Sequence, residues 1–370
     1  MRIALVHDYI KEYGGAERVL ETFHDMYPKA PIFTLVYCPE FLGPHKERFK
    51  NWDIRPSFLQ LLPFKEKFIS PFRLIAPIVF KLFDFSGYEV IVVSSTGAYI
   101  PNCINKQSAK QICYCHTPPR YLYGYATARE WKKYPPFRVL AEIVNHFLRL
   151  VDFSAAQHVD VFIANSENVR NRINKFYRRD AIVIYPPVEM PSKKILIQAE
   201  HSNSRKYFLT GGRLARPKHI DLIIRVANEL HMQLKIFGKS FAGYGDELQN
   251  LAGPTVEFLG EITDEEKAVL MIGAKAFLFA GEDEDFGILP VEAMSFGTPV
   301  IAYKSGGVVE SIVQGKTGIF FQDLTVSSLS KTITHFKQLS LNAHICQKHA
   351  QKFAKEVFVK KMTAVMNKII

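Results

Sequence analysis

The chain has 370 residues, of which 48% are hydrophobic, and it carries 47 Lys and Arg against 36 Asp and Glu. This length is too great for one compact core and fits two domains of ordinary size, while the composition excludes a disordered or low-complexity chain. No run of about 18 apolar residues is present, so a membrane-spanning helix is not expected. The N-terminus enters a strand directly, without the pattern of a signal peptide, and we therefore expect a cytoplasmic protein.

The positive charge is unevenly distributed along the chain. Residues 1–188 hold 25 Lys and Arg against 17 Asp and Glu, which gives +8 of the total of +11 and leaves +3 for the rest. Such a bias suits an anionic membrane face, an acidic lipid-phosphate acceptor or a nucleic acid. No nucleic-acid-binding motif is present, so we expect no nucleic-acid partner.

The five cysteines form no regular framework of pairs, as is usual in a reducing compartment. Cys113 and Cys115 would share one face of a strand just ahead of His116. A metal site there is conceivable, but we favour buried strand thiols.

Both halves of the chain predict a doubly wound α/β domain. Runs rich in Val, Ile and Leu, typical of parallel strands covered on both faces, alternate with helical or irregular segments. The predicted strands are 3–7, 32–37, 90–94, 111–115 and 161–164 in the first half, then 207–211, 234–237, 256–259, 277–280 and 300–303 in the second. We therefore expect two Rossmann-like domains that face each other across a cleft.

A proline-containing, polar stretch separates the two halves, which is typical of a linker. We place the N-terminal domain at residues 1–188, the linker at 189–205 and the C-terminal domain at 206–350. Helix-like sequence covers residues 351–370.

Two glycines lie between the first predicted strand and the first predicted helix. Gly14 and Gly15 precede Glu17 and Arg18, in a loop where backbone can approach a phosphate or a sugar without an intervening side chain. A plain turn explains the same glycines, so the pair alone leaves both alternatives open.

Residues 58–83 alternate phenylalanines and aliphatic residues with the bases Lys65, Lys67, Arg73 and Lys81. Prolines interrupt any continuous helix, so we expect short amphipathic helices. Apolar faces flanked by bases suit a membrane surface, and packing against the first domain is the open alternative.

His116 and Ser166 both follow predicted strands. His116 stands where catalytic residues gather in parallel sheets, although a lone His is more often structural. Ser166 is explained fully as the N-cap of the next helix.

In the second half, Arg213 and Lys218 follow the first predicted strand. Two fixed cations at a strand end can neutralise a pyrophosphate and stabilise it as a leaving group, whereas a solvated basic loop is the alternative. Arg216, between them, has no such role and is expected to be solvated.

An acidic loop precedes a predicted helix further along. Glu284 and Glu292 stand eight residues apart, so the two carboxylates could accept hydrogen bonds from hydroxyls on either side of a pyrophosphate. The backbone N–H groups of residues 286–288 would face anions at the helix N-terminus. Helix capping and dipole compensation explain acidic residues here equally well.

Several of these segments together resemble the retaining glycosyltransferases of family 4, which have the GT-B fold. Glu284 and Glu292 match the family's E-x7-E motif, residues 14–18 its N-terminal glycine loop, and residues 115–121 its C-H-T-P-x-R-Y segment. The resemblance covers nearly the whole chain and extends to bacterial mannosyltransferases of polysaccharide and glycolipid assembly. The glycine-rich residues 237–245 depart from the family's turn near the nucleotide base.

The resemblance implies roles for individual residues, with Glu284 on the donor sugar and Glu292 on the ribose. The implied catalytic residues are Glu284, His116, Arg213 and Lys218, and the implied donor-binding residues are Gly14, Gly15, Arg213, Lys218, Phe286, Gly287, Ile288 and Glu292. It also implies that the last helix crosses back onto the N-terminal domain.

We therefore expect a retaining glycosyltransferase that moves a hexose, mannose from GDP-mannose, to a saccharide or lipid-linked hydroxyl. No cofactor or metal is expected, and the enzyme would lie in the cytoplasm, peripherally at the inner face of the plasma membrane. The alternatives are a UDP-sugar-dependent enzyme of the same family, and a nucleotide-sugar-binding protein that is non-catalytic or an isomerase.

Overall fold

A computed structural model of the chain describes residues 1–126, 135–192, 195, 205–241 and 243–369. For residues 135–138 it describes the backbone but not the side chains. The chain forms two compact units. The first contains Met1–Tyr125, the described part of residues 130–187 and the C-terminal stretch from Phe358. The second contains Ala126 and the described part of Val188–Val357. Most of the predicted linker at 189–205 lies outside the described residues.

The first unit is built on a seven-stranded parallel sheet of order β3-β2-β1-β4-β5-β6-β7. Its strands are β1 (Ile3–His7), β2 (Ile32–Thr34), β3 (Ile54–Pro56), β4 (Val90–Ser95), β5 (Lys110–Cys115), β6 (Val161–Ala164) and β7 (Ile182–Val183). All of β1, β2 and β4 is buried, as expected for central strands covered on both faces.

The second unit is built on a six-stranded parallel sheet of order β10-β9-β8-β11-β12-β13. Its strands are β8 (Tyr207–Gly211), β9 (Leu234–Phe237), β10 (Val256–Gly260), β11 (Ala274–Phe279), β12 (Val300–Tyr303) and β13 (Gly318–Phe321). The predicted α/β fold class is confirmed in both units.

Helices cover the faces of both sheets. The first unit has α1 (Gly15–Met26), α2 (Ala76–Lys81), α3 (Arg120–Tyr123), α4 (Pro135–Gln157) and α5 (Glu167–Tyr177). The chain continues with α6 (Ile220–Glu229), α7 (Tyr244–Leu251), α8 (Asp264–Ile272), α9 (Ile288–Ser295), α10 (Val308–Ser311), α11 (Val326–Phe336), α12 (Ala343–Ala350) and α13 (Lys355–Ile369).

The C-terminal helix α13 supplies core residues to the first unit. The Phe358 ring lies 5.6 Å from that of Phe23 on α1 and 5.7 Å from that of Tyr114 on β5, measured between centroids. Met362 and Met366 are buried in the same cluster. The end of the chain is therefore part of the core beneath the first sheet.

The segment predicted as short amphipathic helices consists of three 3₁₀ turns followed by α2. The turns are Phe58–Leu61, Lys65–Lys67 and Pro71–Leu74. Across the described residues, no helix combines the length and apolar composition needed to cross a bilayer. The five cysteines are buried free thiols.

Candidate active site

Each sheet has one point where the strand order reverses, and the predicted site residues gather at these two points. In the first sheet β1 lies between β2 and β4, and in the second β8 lies between β9 and β11. Loops that leave the carboxyl ends of the strands on either side of such a reversal diverge and open a crevice, which is where open α/β sheets bind ligands. The loops after β1 and β4 therefore define a candidate site in the first unit, and those after β8 and β11 define one in the second.

The loop after β8 passes very close to the loop after β9. Gly212 and Gly238 both have positive φ, at 107° and 120°. A Cβ atom on Gly238 would lie 1.8 Å from the carbonyl oxygen of Gly212, so no other residue fits there. Gly238 thus supports the loop that carries Arg213, a structural role that the sequence analysis did not identify.

The three basic residues of the loop after β8 have different surroundings. The guanidinium of Arg213 lies 5.4 Å from the centroid of the Phe241 ring. Arg216 was expected to be solvated, but both of its terminal nitrogens donate to the carboxylate of Glu247 on α7. The two side chains are 37% and 54% exposed, so Arg216 holds a surface ion pair and remains accessible to solvent.

Lys218 and Glu284 are brought together from 66 positions apart in the sequence. The Lys218 ammonium donates to Glu284 Oε2, and the two side chains are 29% and 20% exposed. The ammonium also lies 5.4 Å from the centroid of the Phe279 ring, at the end of β11. Two of the predicted catalytic residues therefore form a half-buried ion pair that solvent can still reach.

The acidic loop after β11 rests on two glycines that follow β12. Gly307 N donates to Glu284 O at 2.7 Å. A Cβ atom on Gly306 would lie 2.2 Å from the same carbonyl oxygen, and one on Gly307 would lie 2.1 Å from Asp285 O. These close approaches fix the backbone that carries the Glu284 side chain.

Helix α9 begins just after the acidic loop, with Gly287 as its N-cap at φ 86° and Ile288 as its first residue. The first amide N–H groups of a helix make no bonds within it and carry a partial positive charge. The Phe286 side chain is buried and packs on Phe353 at 5.5 Å between ring centroids. Any contact of Phe286 with a ligand would therefore come from its backbone.

Glu292 lies on α9, and its carboxylate pairs with a lysine that the sequence analysis missed. Lys267 Nζ on α8 donates to Glu292 Oε1 at 2.9 Å and to Asp264 Oδ1 at 2.8 Å. The Lys267 and Glu292 side chains are only 9% and 6% exposed. Lys267 and Asp264 stand three apart on one helix, but nothing in the sequence connects this lysine with Glu292.

In the first unit, the glycine loop is closed by Glu17. Gly14 is the N-cap of α1 and its N–H donates to Glu17 Oε2 at 2.9 Å, which forms the backbone half of a capping box. Gly15 is the first residue of the helix. The other carboxylate oxygen of Glu17 lies 3.6 Å from His7 Nε2, at the end of β1.

His116 lies in a buried polar cluster at the carboxyl ends of β1, β4 and β5. Its Nε2 lies 2.9 Å from Ser94 Oγ, and the same hydroxyl lies 3.1 Å from His7 Nδ1. Burial, with a smaller contribution from the neighbouring His7, lowers the pKa of His116 to about 3. His116 is therefore a neutral imidazole at pH 7.

Asp8 follows His7 and was not singled out by the sequence analysis. Its Oδ2 accepts hydrogen bonds from the N–H groups of Thr96 and Ala98, at 3.0 and 3.2 Å, and from the Thr96 hydroxyl. Desolvation raises the pKa of this fully buried carboxyl. Asp8 thus ties the end of β1 to the loop after β4.

The cysteines beside His116 belong to the core. Cys113 and Cys115 pack in one cluster under α5, and Cys113 Sγ accepts a long hydrogen bond from Asn102 at 3.4 Å. Among the described residues, no three or more His, Cys, Asp or Glu side chains converge as metal ligands do. The expected N-cap Ser166 is confirmed, since its hydroxyl accepts from Val169 N at 3.0 Å.

Comparison with known families agrees with these features. Residues 13–190 match the model for Glycosyltransferase Family 4, and residues 192–353 match that for Glycosyl transferases group 1. The two matches follow one another and together span most of the chain. The chain belongs to the family-4 glycosyltransferases and is a transferase, as the resemblance predicted.

Two similar curated proteins are both alpha-1,3/1,6-mannosyltransferase ALG2. The protein from Dictyostelium discoideum is 24% identical over 344 residues, which cover 80% of this chain and 79% of that protein. The protein from Kluyveromyces lactis is also 24% identical, over 61% of this chain. That match spans 52%, or about half, of the Kluyveromyces protein's length.

Solved structures share the fold at low sequence identity. Anabaena Alr3699/HepE, crystallised with UDP and glucose, has a TM-score of 0.72 at 17% identity and covers 99% of both chains. Sucrose-phosphate synthase from Thermosynechococcus elongatus has a TM-score of 0.74 at 16% identity, covering 100% of this chain and 99% of that one. These likenesses show the GT-B fold.

Proposed function

We propose that this glycosyltransferase transfers mannose from GDP-mannose to a hydroxyl of a saccharide or lipid-linked acceptor, with retention at the anomeric carbon. The similarity to mannosyltransferases supports the sugar. The observation that carries the proposal is the meeting of Lys218 and Glu284 beside the N-terminus of α9, at the strand-order reversal of the second sheet. A cation for a diphosphate and a carboxylate for sugar hydroxyls are what a nucleotide-sugar site requires.

In the proposed mechanism the cations act on the leaving group. Arg213 and Lys218 bind the diphosphate, and the amide N–H groups at the start of α9 add dipolar stabilisation as charge develops. Lys218 then exchanges part of its contact with Glu284 for the phosphate. Glu284 is left to accept hydrogen bonds from hydroxyls of the donor sugar.

The proposed transfer needs no covalent nucleophile from the protein. The bond between the anomeric carbon and the phosphate oxygen breaks, and its electron pair stays on the phosphate. The acceptor oxygen forms the new bond on the same face of the sugar, and its proton passes to the departing phosphate. His116, neutral at pH 7, would contact the sugar by hydrogen bonding.

We propose that no metal or cofactor is required, because two protein cations neutralise the diphosphate. Asp283 and Asp285 flank Glu284 in the loop after β11, so a divalent cation bound there is the alternative. Full transfer in the presence of EDTA, unchanged by added Mg²⁺ or Mn²⁺, supports the metal-free proposal. Loss of transfer that only a divalent cation restores contradicts it.

The nucleotide base can be tested separately from transfer. A ligand that binds only the folded protein raises its melting temperature with concentration. We expect GDP-mannose and GDP to stabilise the protein more than UDP-glucose and UDP at equal concentration. The opposite order favours the UDP-sugar alternative.

Product analysis distinguishes the remaining alternatives. Release of nucleotide that needs no acceptor hydroxyl favours a binding protein, and recovery of epimerised donor favours an isomerase.

Replacing Glu284 and Glu292, the two carboxylates of the E-x7-E spacing, by Gln one at a time is expected to impair different steps. Glu284→Gln should lower kcat with nucleoside diphosphate affinity nearly intact, since its proposed contact is the sugar. Glu292→Gln should weaken diphosphate binding by about 1.5–3 kcal/mol, the range for a hydrogen bond to a charged group. Calorimetry with GDP alone measures this. Equal losses of GDP affinity in both variants would remove the proposed division of roles.

We also propose that residues 58–82 contact an anionic membrane at the inner face of the plasma membrane, which would place the enzyme peripherally in the cytoplasm. Large apolar side chains are exposed there, among them Leu61 at 86%, Phe64 at 64% and Leu82 at 66%. Lys67 and Lys81 are exposed beside them. The guanidinium of Arg73, by contrast, lies 4.4 Å from the centroid of the Tyr121 ring, so we remove Arg73 from the expected set of membrane-facing bases.

Neutralising Lys65, Lys67 and Lys81 together to Gln should weaken binding to phosphatidylglycerol liposomes. Bases near an anionic surface contribute roughly 1 kcal/mol each, so the loss should reach about 100-fold in low salt. Sedimentation of the liposomes measures the fraction of protein that is bound. Lys29, Lys46 and Lys50, exposed elsewhere in the same unit, provide a control of equal charge. Equal loss in both triple variants would indicate a general charge effect, and no binding by the wild type would favour packing alone.

A further inference from the structure

The buried cluster around His116 is a continuous chain of polar groups that begins at the glycine loop. It runs from Glu17 Oε1 to His7 Nε2 (3.6 Å), from His7 Nδ1 to Ser94 Oγ (3.1 Å) and from Ser94 Oγ to His116 Nε2 (2.9 Å). The four residues are 8% exposed or less. Water therefore competes little with these contacts, of which the two made by Ser94 are hydrogen bonds and the one between Glu17 and His7 is electrostatic.

The direction of the chain follows from the chemistry of its members. A serine hydroxyl has one proton, so Ser94 can donate to only one of the two imidazoles and must accept from the other. Glu17 Oε1 lies too far from His7 Nε2 for a hydrogen bond, but a carboxylate 3.6 Å away favours by its charge the tautomer of His7 that carries its proton on Nε2. His7 Nδ1 is then an acceptor, Ser94 donates to it, and the Ser94 oxygen accepts from His116.

We infer that Glu17, His7 and Ser94 are positioning residues that hold His116 in the tautomer with its proton on Nε2. The Nδ1 atom of His116 is left as a hydrogen-bond acceptor, which suits a sugar hydroxyl that donates. Glu17 also accepts from the Gly14 N–H, so the chain joins the glycine loop to His116. The role of His116 Nδ1 towards a sugar hydroxyl rests on the proposed function, whereas the tautomer of His116 does not depend on it.

Tautomer measurement tests the chain independently of activity. In full-length protein labelled with ¹⁵N-histidine, NMR at pH 7 should show His116 protonated on Nε2. Glu17→Gln should reverse this. The glutamine oxygen can still cap Gly14, and its amide N–H₂ then faces His7 Nε2 and favours an unprotonated Nε2, so His116 becomes protonated on Nδ1. His116 protonated on Nδ1 in the wild type, or no change in Glu17→Gln, would overturn the inference.

The catalytic consequence is tested on Ser94. Ser94→Ala should lower kcat roughly tenfold, with KM for the donor nearly unchanged, and Ser94→Thr should restore most of the rate because it keeps the hydroxyl. Ser95→Ala, at the next position of β4, is the matched control and should keep the wild-type rate. If the rate falls equally in Ser94→Ala and Ser94→Thr, the hydroxyl has no positioning role. Wild-type protein that transfers no sugar would instead contradict the proposed function while leaving the tautomer result intact.

Discussion

Alanine in place of either Arg213 or Lys218 is expected to slow sugar transfer by about 10²- to 10³-fold, the range for loss of one preorganised electrostatic group. Both cations would stabilise charge that develops on the diphosphate as the sugar leaves. Steady-state kinetics with saturating donor measure the loss in kcat. Arg216→Ala is the control from the same loop, because Arg216 is already paired with Glu247, and it should retain nearly the wild-type rate.

The contact between Lys218 and Glu284 also predicts how the two single substitutions combine in a double variant. Because the two side chains interact directly, the losses caused by Lys218→Ala and Glu284→Gln should not add in the double variant. The losses of transfer rate caused by Arg213→Ala and Glu284→Gln should be closer to additive in their double variant. Wild-type turnover in Arg213→Ala and Lys218→Ala, with Arg216→Ala equally active, would remove the leaving-group role.

Lys267→Met is expected to destabilise the protein by about 3–5 kcal/mol, since breaking a buried pair leaves its carboxylate in a low-dielectric site without the compensating cation. Glu292 is the buried partner, whereas the Asp264 side chain is 39% exposed and can turn to water. Urea unfolding followed by circular dichroism measures the change. The same variant should bind GDP more weakly, because the Glu292 carboxylate is no longer held in place.

A surface pair in the same unit is the control for Lys267. Lys235 lies 3.0 Å from Glu257, with side chains 29% and 56% exposed, and Lys235→Met should cost less than about 1 kcal/mol. Combining Lys267→Met with Glu292→Leu should restore much of the stability but not GDP binding, since apolar replacement of a whole buried pair is often neutral. Equal unfolding midpoints for Lys267→Met and Lys235→Met would show that the buried pair contributes little.

The central strands could be predicted from sequence because burial on both faces demands apolar runs. The predictions at 3–7, 161–164 and 207–211 coincide with β1, β6 and β8. The strands that were missed are short or interrupted. β3 is Ile-Arg-Pro and β7 is Ile-Val, both partly exposed at sheet edges, and β13 begins with a glycine. Such strands exist because a neighbouring strand pairs with them, which local sequence does not record.

The candidate site residues likewise fall into those that the sequence indicated and those that depend on contacts between distant segments. Arg213 and Lys218 were named from sequence as cations at a strand end, and Glu284 from its spacing to Glu292 and the E-x7-E resemblance. Their roles in catalysis stay predictions, as do those of Gly14, Gly15 and Glu292. Lys267 and Ser94 could not be named, because their buried partners Glu292 and His116 lie more than 20 positions away and no local pattern connects them. The glycines that bring loops together, such as Gly238, are likewise explained only by the backbone that approaches them.

The proposed reaction is tested most directly by the anomeric configuration of the transfer product. The wild-type enzyme is incubated with GDP-α-mannose, and in parallel with UDP-glucose, using octyl glycosides and polyprenyl-diphosphate-linked sugars as acceptors, and each product is examined by NMR. We predict an α-linked mannoside formed from GDP-mannose, with one GDP released for each sugar transferred. A β-linked product, transfer from the UDP-sugar alone, or GDP release without a glycoside product would contradict the proposed function.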